Sequence, residues 1–301
     1  MKKVVSVSLG SSKRNHQATA EFGGQTFSIE RIGTDGDKAK AIALIRELDG
    51  KVDAIGMGGT DLYIFAGGKR YTFRESAEIA AAAKLTPIVD GSGLKNTLER
   101  RVIKTLVEKH GMNFNSKPVL VVCAVDRFGM AEALVQAGCR TVFGDLLFGL
   151  GLPIPIRTLQ GLARLARLVA PIITKLPVSL FYPTGESQQQ HEPRFAKYFT
   201  EADIVAGDFH YIRRYMPNKL SGKTIITNTV TKDDETLLKE RGVQTLVTTT
   251  PDLGGRSFGT NVLEGVLVAL ADKPQAEITV NDYEQLLDDI GLEPRIKRLA
   301  Q

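Results

Sequence analysis

Asp90, Lys95 and His210 are the residues of this sequence whose types and settings suit proton chemistry. Asp90 lies in the segment VDGSGLKNTL, and Lys95 is the lysine nearest to it in the sequence. His210 follows DIVAGD, where an apolar strand would end. An acid or base of this kind needs a partner that tunes it and a substrate within hydrogen-bond reach. Asp-Gly is also a common turn dipeptide, so a structural role for Asp90 stands beside the catalytic one. His16, His110 and His191 share no metal-ligand spacing with it or with each other, and no metal site is expected.

A second group of residues points to a nucleotide. The stretch PVLVVCAVDRFGMAEALVQAGCRTVFGD, residues 118–145, reads as strand, turn, helix and strand. In such a unit the turn offers backbone N–H groups at a helix N-terminus to a phosphate, and an acid at the end of the second strand accepts ribose hydroxyls. Asp145 stands at that acidic position, and Asn228, at the end of a later strand, is a further candidate contact. The three glycine positions of the dinucleotide turn are held by Ala124, Asp126 and Gly129. A carboxylate at the middle one adds bulk and like charge where a pyrophosphate would lie. The alternative is a structural unit in which Asp126 only starts a helix.

A third group is the glycine-rich loop TPDLGGRSFGTN, with Gly254, Gly255, Arg256, Ser257 and Thr260. Free N–H groups, hydroxyls and one cation before a helix suit an anion or a substrate carboxylate, although the Lys-Ser/Thr pair of a P-loop is missing. Asn261 and Glu264 have the spacing of a capping box for that helix.

The elements that must position these groups follow from periodicity and punctuation. Alternation in VVSVS, and glycine pairs at Gly23–Gly24 and Gly67–Gly68, predict a strand and two hairpins in the first third. Asp37 caps a predicted helix over 38–48. From 118 onward, strands and helices alternate, with Thr231 capping the helix at 233–241, which calls for a parallel sheet covered on both faces. The fold class is α/β in two domains: an N-terminal α+β substrate-like domain at 1–112 and a Rossmann-type doubly wound parallel sheet at 113–272. A helical tail at 273–301 packs back.

Composition narrows the partners. Of 301 residues, 39 are Lys or Arg and 34 Asp or Glu, and the net charge of +5 is spread along the chain without an aromatic-rich basic block. Neither nucleic acid nor a membrane is the expected partner; a small-molecule substrate is, with a homodimer as the assembly. The basic segment RTLQGLARLARLVAPIITK, residues 157–175, reads as a basic amphipathic helix that either lies on a membrane surface or, the commoner case, covers a sheet and wets its arginines. Two cysteines cannot build a disulfide framework, and the N-terminal apolar stretch is too short for a secretory signal, so a cytoplasmic setting is expected.

VDGSGLKNTL resembles the Asp-Gly-x-Gly segment of shikimate and quinate dehydrogenases, and the order of substrate domain, motif, connecting helix and nucleotide domain is similar. The resemblance implies an NAD(P)-dependent oxidoreductase acting on a small quinate-like hydroxy acid, with NAD or NADP as cofactor and Asp90 as the aspartate that works with a lysine. The family's Asn-Val-Thr-x-Pro-x-Lys motif is missing. The second reading is a non-catalytic Rossmann-type protein that holds an anionic small molecule or nucleotide.

Overall fold

The computed structural model describes residues 1–177, 191–251 and 259–300. Two main sheets organise them. The first is built from β1 (Lys2–Ser8), β2 (His16–Phe22), β3 (Gln25–Gly33), β4 (Ala54–Gly58) and β7 (Ile88–Val89), in the order β2-β3-β1-β4-β7. Only β2 runs antiparallel, through the expected Gly23–Gly24 hairpin; β3, β1, β4 and β7 are parallel. The second hairpin, β5 (Tyr63–Ala66) and β6 (Lys69–Thr72), stands apart as its own two-stranded sheet.

The second main sheet contains β8 (Pro118–Val121), β9 (Arg140–Phe143), β10 (Ile204–Ala206), β11 (Thr224–Thr227), β12 (Thr245–Thr248) and β13 (Arg295–Arg298), in the order β13-β12-β11-β10-β8-β9. Its first five strands in chain order are parallel, and β13 closes the edge antiparallel to β12. Counted along the chain, the parallel strands read 2-1-3-4-5, whereas the common dinucleotide-binding arrangement reads 3-2-1-4-5-6. The tail is not wholly helical either: after α10 (Val280–Asp289) it supplies β13. The short RIKR alternation pairs with an otherwise bare strand edge.

Both sheets bury both faces, as parallel sheets do. Side chains alternate across β8, so Val119 and Val121 face α3 (Ser92–Glu108) and α4 (Phe128–Gln136), and Leu120 faces the opposite core of Phe199, Ile212 and Leu238. Those three come from α6 (Ala196–Glu201), α7 (Phe209–Tyr215) and α8 (Lys232–Glu240). On the first sheet, Val7, Ile55 and Met57 pack on Ala41 and Ile45 of α1 (Lys38–Leu48) and Ile79 of α2 (Arg74–Ala80). Val4, Phe27, Ile29 and Ala54 pack on Val262 and Val266 of α9 (Thr260–Leu270). Thus α9, late in the sequence, covers the first sheet, and α3 packs against both α4 and α9. α5 (Leu159–Ile173) lies outside, burying only Leu162, Ala166 and Ala170.

Local chemistry accounts for the ends of these elements. Asp37 accepts from the Lys40 N–H at the start of α1, and Thr231 and Asp234 form a reciprocal capping box on α8. The capping box expected at Asn261 and Glu264 does not form. Gly259 is the N-cap of α9, Asn261 donates to the Ser6 hydroxyl at 2.7 Å, and Glu264 is buried. Its carboxylate accepts from Gly91 N at 2.6 Å and from the Tyr283 hydroxyl at 2.7 Å, so Glu264 ties three elements together.

Candidate functional site

An open sheet of parallel strands binds ligands beyond the carboxyl ends of its strands, where the strand order reverses direction. In the first sheet that reversal lies between β1 and β4, and in the second between β8 and β10. The segments following these four strands meet at one cleft of about 200 Å³. From the end of β1 come Ser8, Gly10 and Arg14; from the end of β4, Gly58 to Asp61; after β8, Asp126 and Arg127; after β10, Asp208 and His210. Two chain-distant loops therefore face each other because each stands at its own sheet's switch point.

The floor of the cleft is a buried charge network. Lys95, reaching in from α3, places its ammonium 3.1 Å from Asp61 and 2.9 Å from Asp126. Burial lowers the affinity of Lys95 for its proton, but Asp126 and Asp61 outweigh that and hold the ammonium charged. Burial and the neighbouring Asp126 push Asp61 well up. Burial would do the same to Asp126, yet Lys95 and Arg127 overcome it and hold that carboxyl below its ordinary range. Arg127 bridges Glu99 and Asp208, the latter at 3.0 Å. Asp208 in turn accepts from Asn228 Nδ2 and from the His210 N–H, both at 2.8 Å.

Arg14 differs from these cations. Its guanidinium lies 3.3 Å from His210 Nε2, and among the described residues no carboxylate is within ion-pair distance. Burial pulls His210 below its ordinary range, with Asp208 opposing and Arg14 adding to the fall, so the ring stays neutral and Nε2 accepts from Arg14. Arg31 is anchored beside it through Ser8 Oγ at 3.0 Å and Ser11 O at 3.1 Å. Hydroxyls of Ser6, Ser8, Tyr211, Thr229 and Thr260 complete the lining. The arrangement suits an anion with hydroxyl groups: guanidinium for the charge, side-chain and strand-end oxygens for the hydroxyls.

Of the residues singled out in the sequence, Asp90, Lys95, Asp126, His210, Asn228 and Thr260 all line this cleft. Asp90 is held as a turn residue, accepting from Leu62 N and from Ser92, while Gly91 adopts φ 98°, with Asn261 N only 2.9 Å from where a Cβ would sit. Ala124, Gly129 and Asp145 are elsewhere. Gly129 packs where α4 touches α3: a Cβ there would lie 2.7 Å from Asn96 O. Asp145 turns back on its own unit and accepts from Ala124 N at 3.1 Å and Val125 N at 2.8 Å, and burial pushes its carboxyl up to about 6. Gly254, Gly255, Arg256 and Ser257 lie outside the described residues. Sequence reasoning missed Arg14, Asp61, Arg127 and Asp208; the one signal for them was their position just past an apolar strand run.

Fold and cleft define an α/β protein with two switch points facing one polar site. The chain belongs to the family described as Domain of unknown function (DUF8754), whose model matches residues 93–299, and residues 3–90 match Domain of unknown function (DUF8753). No curated protein matches the sequence significantly. Among solved structures the chain is similar to a galactofuranose binding protein, with 12% identity over 97% of this chain and 99% of that one and a TM-score of 0.35. A glucose-galactose binding protein from Geobacillus stearothermophilus has 10% identity over 99% and 97%, with a TM-score of 0.36. A Mycobacterium smegmatis protein in complex with beta-D-fucofuranose has 10% identity over 99% and 92%, with a TM-score of 0.34.

The resemblance to shikimate and quinate dehydrogenases, and with it the NAD(P)-dependent oxidoreductase, is overturned. The families matched are others. The physical reasons lie in the second sheet. The N–H groups of Ala124 and Val125, which a pyrophosphate would need, are taken by Asp145, and the same bonds occupy the carboxylate meant for the ribose. Asp126, at the middle glycine position, is locked to Lys95.

Proposed function

We propose that this protein binds, without chemically altering it, a small anion bearing hydroxyl groups in the cleft between its two sheets. In this reading each sheet belongs to its own unit, the second a doubly wound unit of flavodoxin-like strand order. The observation that carries the proposal is Arg14, half-buried at a double switch point with no carboxylate partner among the described residues. A guanidinium removed from water in this way favours an anion from outside. Lys95 and Arg127, each already neutralised, stiffen the floor; Asn228, Thr260 and the Ser6 hydroxyl orient the ligand's hydroxyls.

The test is a thermal-shift screen of hydroxy-carboxylates, sugar phosphates and inorganic phosphate, followed by calorimetry of any hit. A ligand present at 100-fold over its Kd adds about 2.7 kcal/mol to stability, a shift of several degrees. Arg14→Gln should weaken such a hit at least tenfold and leave the ligand-free melting temperature nearly unchanged, since about 1.4 kcal/mol of charge-assisted bonding suffices for that loss. A hit that Arg14→Gln leaves untouched overturns the assignment.

A further inference from the structure

The helix α5 was expected to cover a sheet, and one of its faces does pack; its other face carries what a covering helix does not need. Leu168, Ile172 and Leu176 follow one another four residues apart and are 72%, 62% and 39% exposed. Arg167, Pro171 and Lys175 repeat at the same spacing one residue earlier and are exposed as well. On the helix Leu168 and Ile172 lie beside Arg167 and Pro171, with Arg164 exposed at the head of the aliphatic row and Lys175 and Leu176 in the turn just past the helix end.

The charge around this face has one sign. Residues 146–177 contain no aspartate or glutamate and four cations, Arg157, Arg164, Arg167 and Lys175. None of the four is within ion-pair distance of a carboxylate among the described residues. The tip of the β5–β6 hairpin sits against the helix, with the Gly67 Cβ position 3.8 Å from Arg167 Nε, and adds the exposed Lys69 and the 41% exposed Phe65. The acids of α2, which begins where Arg74 N bonds Thr174 O, are held by Lys38 and Arg74. The surface thus combines cations that have no carboxylate partner among the described residues with exposed aliphatic groups.

We propose that α5 and the turn that follows it dock this protein on the surface of an anionic lipid bilayer, Arg164, Arg167 and Lys175 among the headgroups and Leu168, Ile172 and Leu176 at the acyl boundary. Aliphatic side chains interleaved with cations are what an interfacial helix presents. No helix among the described residues is long and apolar enough to cross a membrane, so the contact lies in the plane of the bilayer. Such binding falls as salt screens the cations.

The experiment is co-sedimentation of the full chain with phosphatidylcholine vesicles, alone or with about one-third phosphatidylglycerol, across salt concentrations. The chain is expected to pellet with the anionic vesicles, stay in solution with the neutral ones, and dissociate as salt rises. The pairs Arg164→Glu with Arg167→Glu, and Leu168→Glu with Ile172→Glu, should each lower the bound fraction about tenfold or more, since each cation near an anionic surface contributes about fivefold. Both pairs change exposed side chains, so far-UV circular dichroism should be unaltered. A wild-type chain that stays in solution with anionic vesicles, or variants that bind as it does, overturns the proposal. So does a wild-type dimer in sedimentation velocity that Leu168→Glu with Ile172→Glu makes monomeric, which would assign the face to a second copy.

Discussion

Lys95→Met is the substitution that most sharply tests the floor of the cleft. The lysine side chain is 8% exposed and stands between carboxylates that are themselves 12% and 16% exposed. Methionine fills nearly the same space, so the loss is of charge and not of packing. Breaking a buried ion pair by removing one partner costs about 3–5 kcal/mol. Here the lower end, about 3 kcal/mol, applies, because Asp61 already tends to hold a proton and Arg127 still faces Asp126. In a chain of 301 residues that lowers the melting temperature by about 5 °C. The sign with pH follows from Asp126. In the wild type its lowered carboxyl contributes stability that is present above its unfolded pKa and lost as pH falls through the folded value. Without Lys95 burial dominates and raises that carboxyl, so the penalty is greatest near about pH 8 and shrinks toward about pH 5 as Asp126 takes up a proton. Urea unfolding followed by far-UV circular dichroism measures both, and adding Asp126→Asn should recover at least half of the loss. A penalty under about 1 kcal/mol, or one that does not change with pH, would refute the reasoning.

Three further outcomes follow from other contacts. Burial, with Asp90 adding to it, pushes the Glu264 carboxyl up to about 8, so its contribution to stability is full below its unfolded pKa and is lost as pH rises through about 8. Glu264→Gln, which can still accept from Gly91 N and donate to Tyr283, should flatten that decline and be the more stable form by about 2 kcal/mol or more above pH 8, read from urea midpoints. Gly129→Ala forces a Cβ into the backbone of Asn96 and should cost about 2–3 kcal/mol; a neutral effect would mean that α3 and α4 do not touch there. Thr231→Ala removes one arm of the α8 capping box and should cost about 1 kcal/mol in the same assay.

Much of the local structure was legible. The glycine pairs announced both hairpins, Asp37 and Thr231 announced two helix starts, and the apolar run at 119–125 announced a strand buried on both faces, which in the structure ends at Val121. Six of the residues chosen for chemistry do share one cleft. What periodicity cannot carry is strand order. Arg14 meets His210 because β1 and β10 each border a reversal in their own sheets, a relation between residues 196 positions apart that no local pattern encodes. The degenerate glycine turn misled for a related reason. Gly129 serves the contact between α3 and α4, and Asp145 the N–H groups of Ala124 and Val125, so residues spaced like those of a nucleotide turn have structural roles here. Glu264 looked like a cap and is instead a buried tie, because its partners Gly91 and Tyr283 come from distant segments.

The most direct test of the cleft as an anion site is a calorimetric titration of the strongest thermal-shift hit into the wild-type chain and into Arg14→Gln, side by side. Saturable binding to the wild type at one site per chain, weakened at least tenfold by the substitution, is the expected result. Equal affinity in both proteins, or no binding of any carboxylate or phosphate in the panel to the wild type, would contradict it.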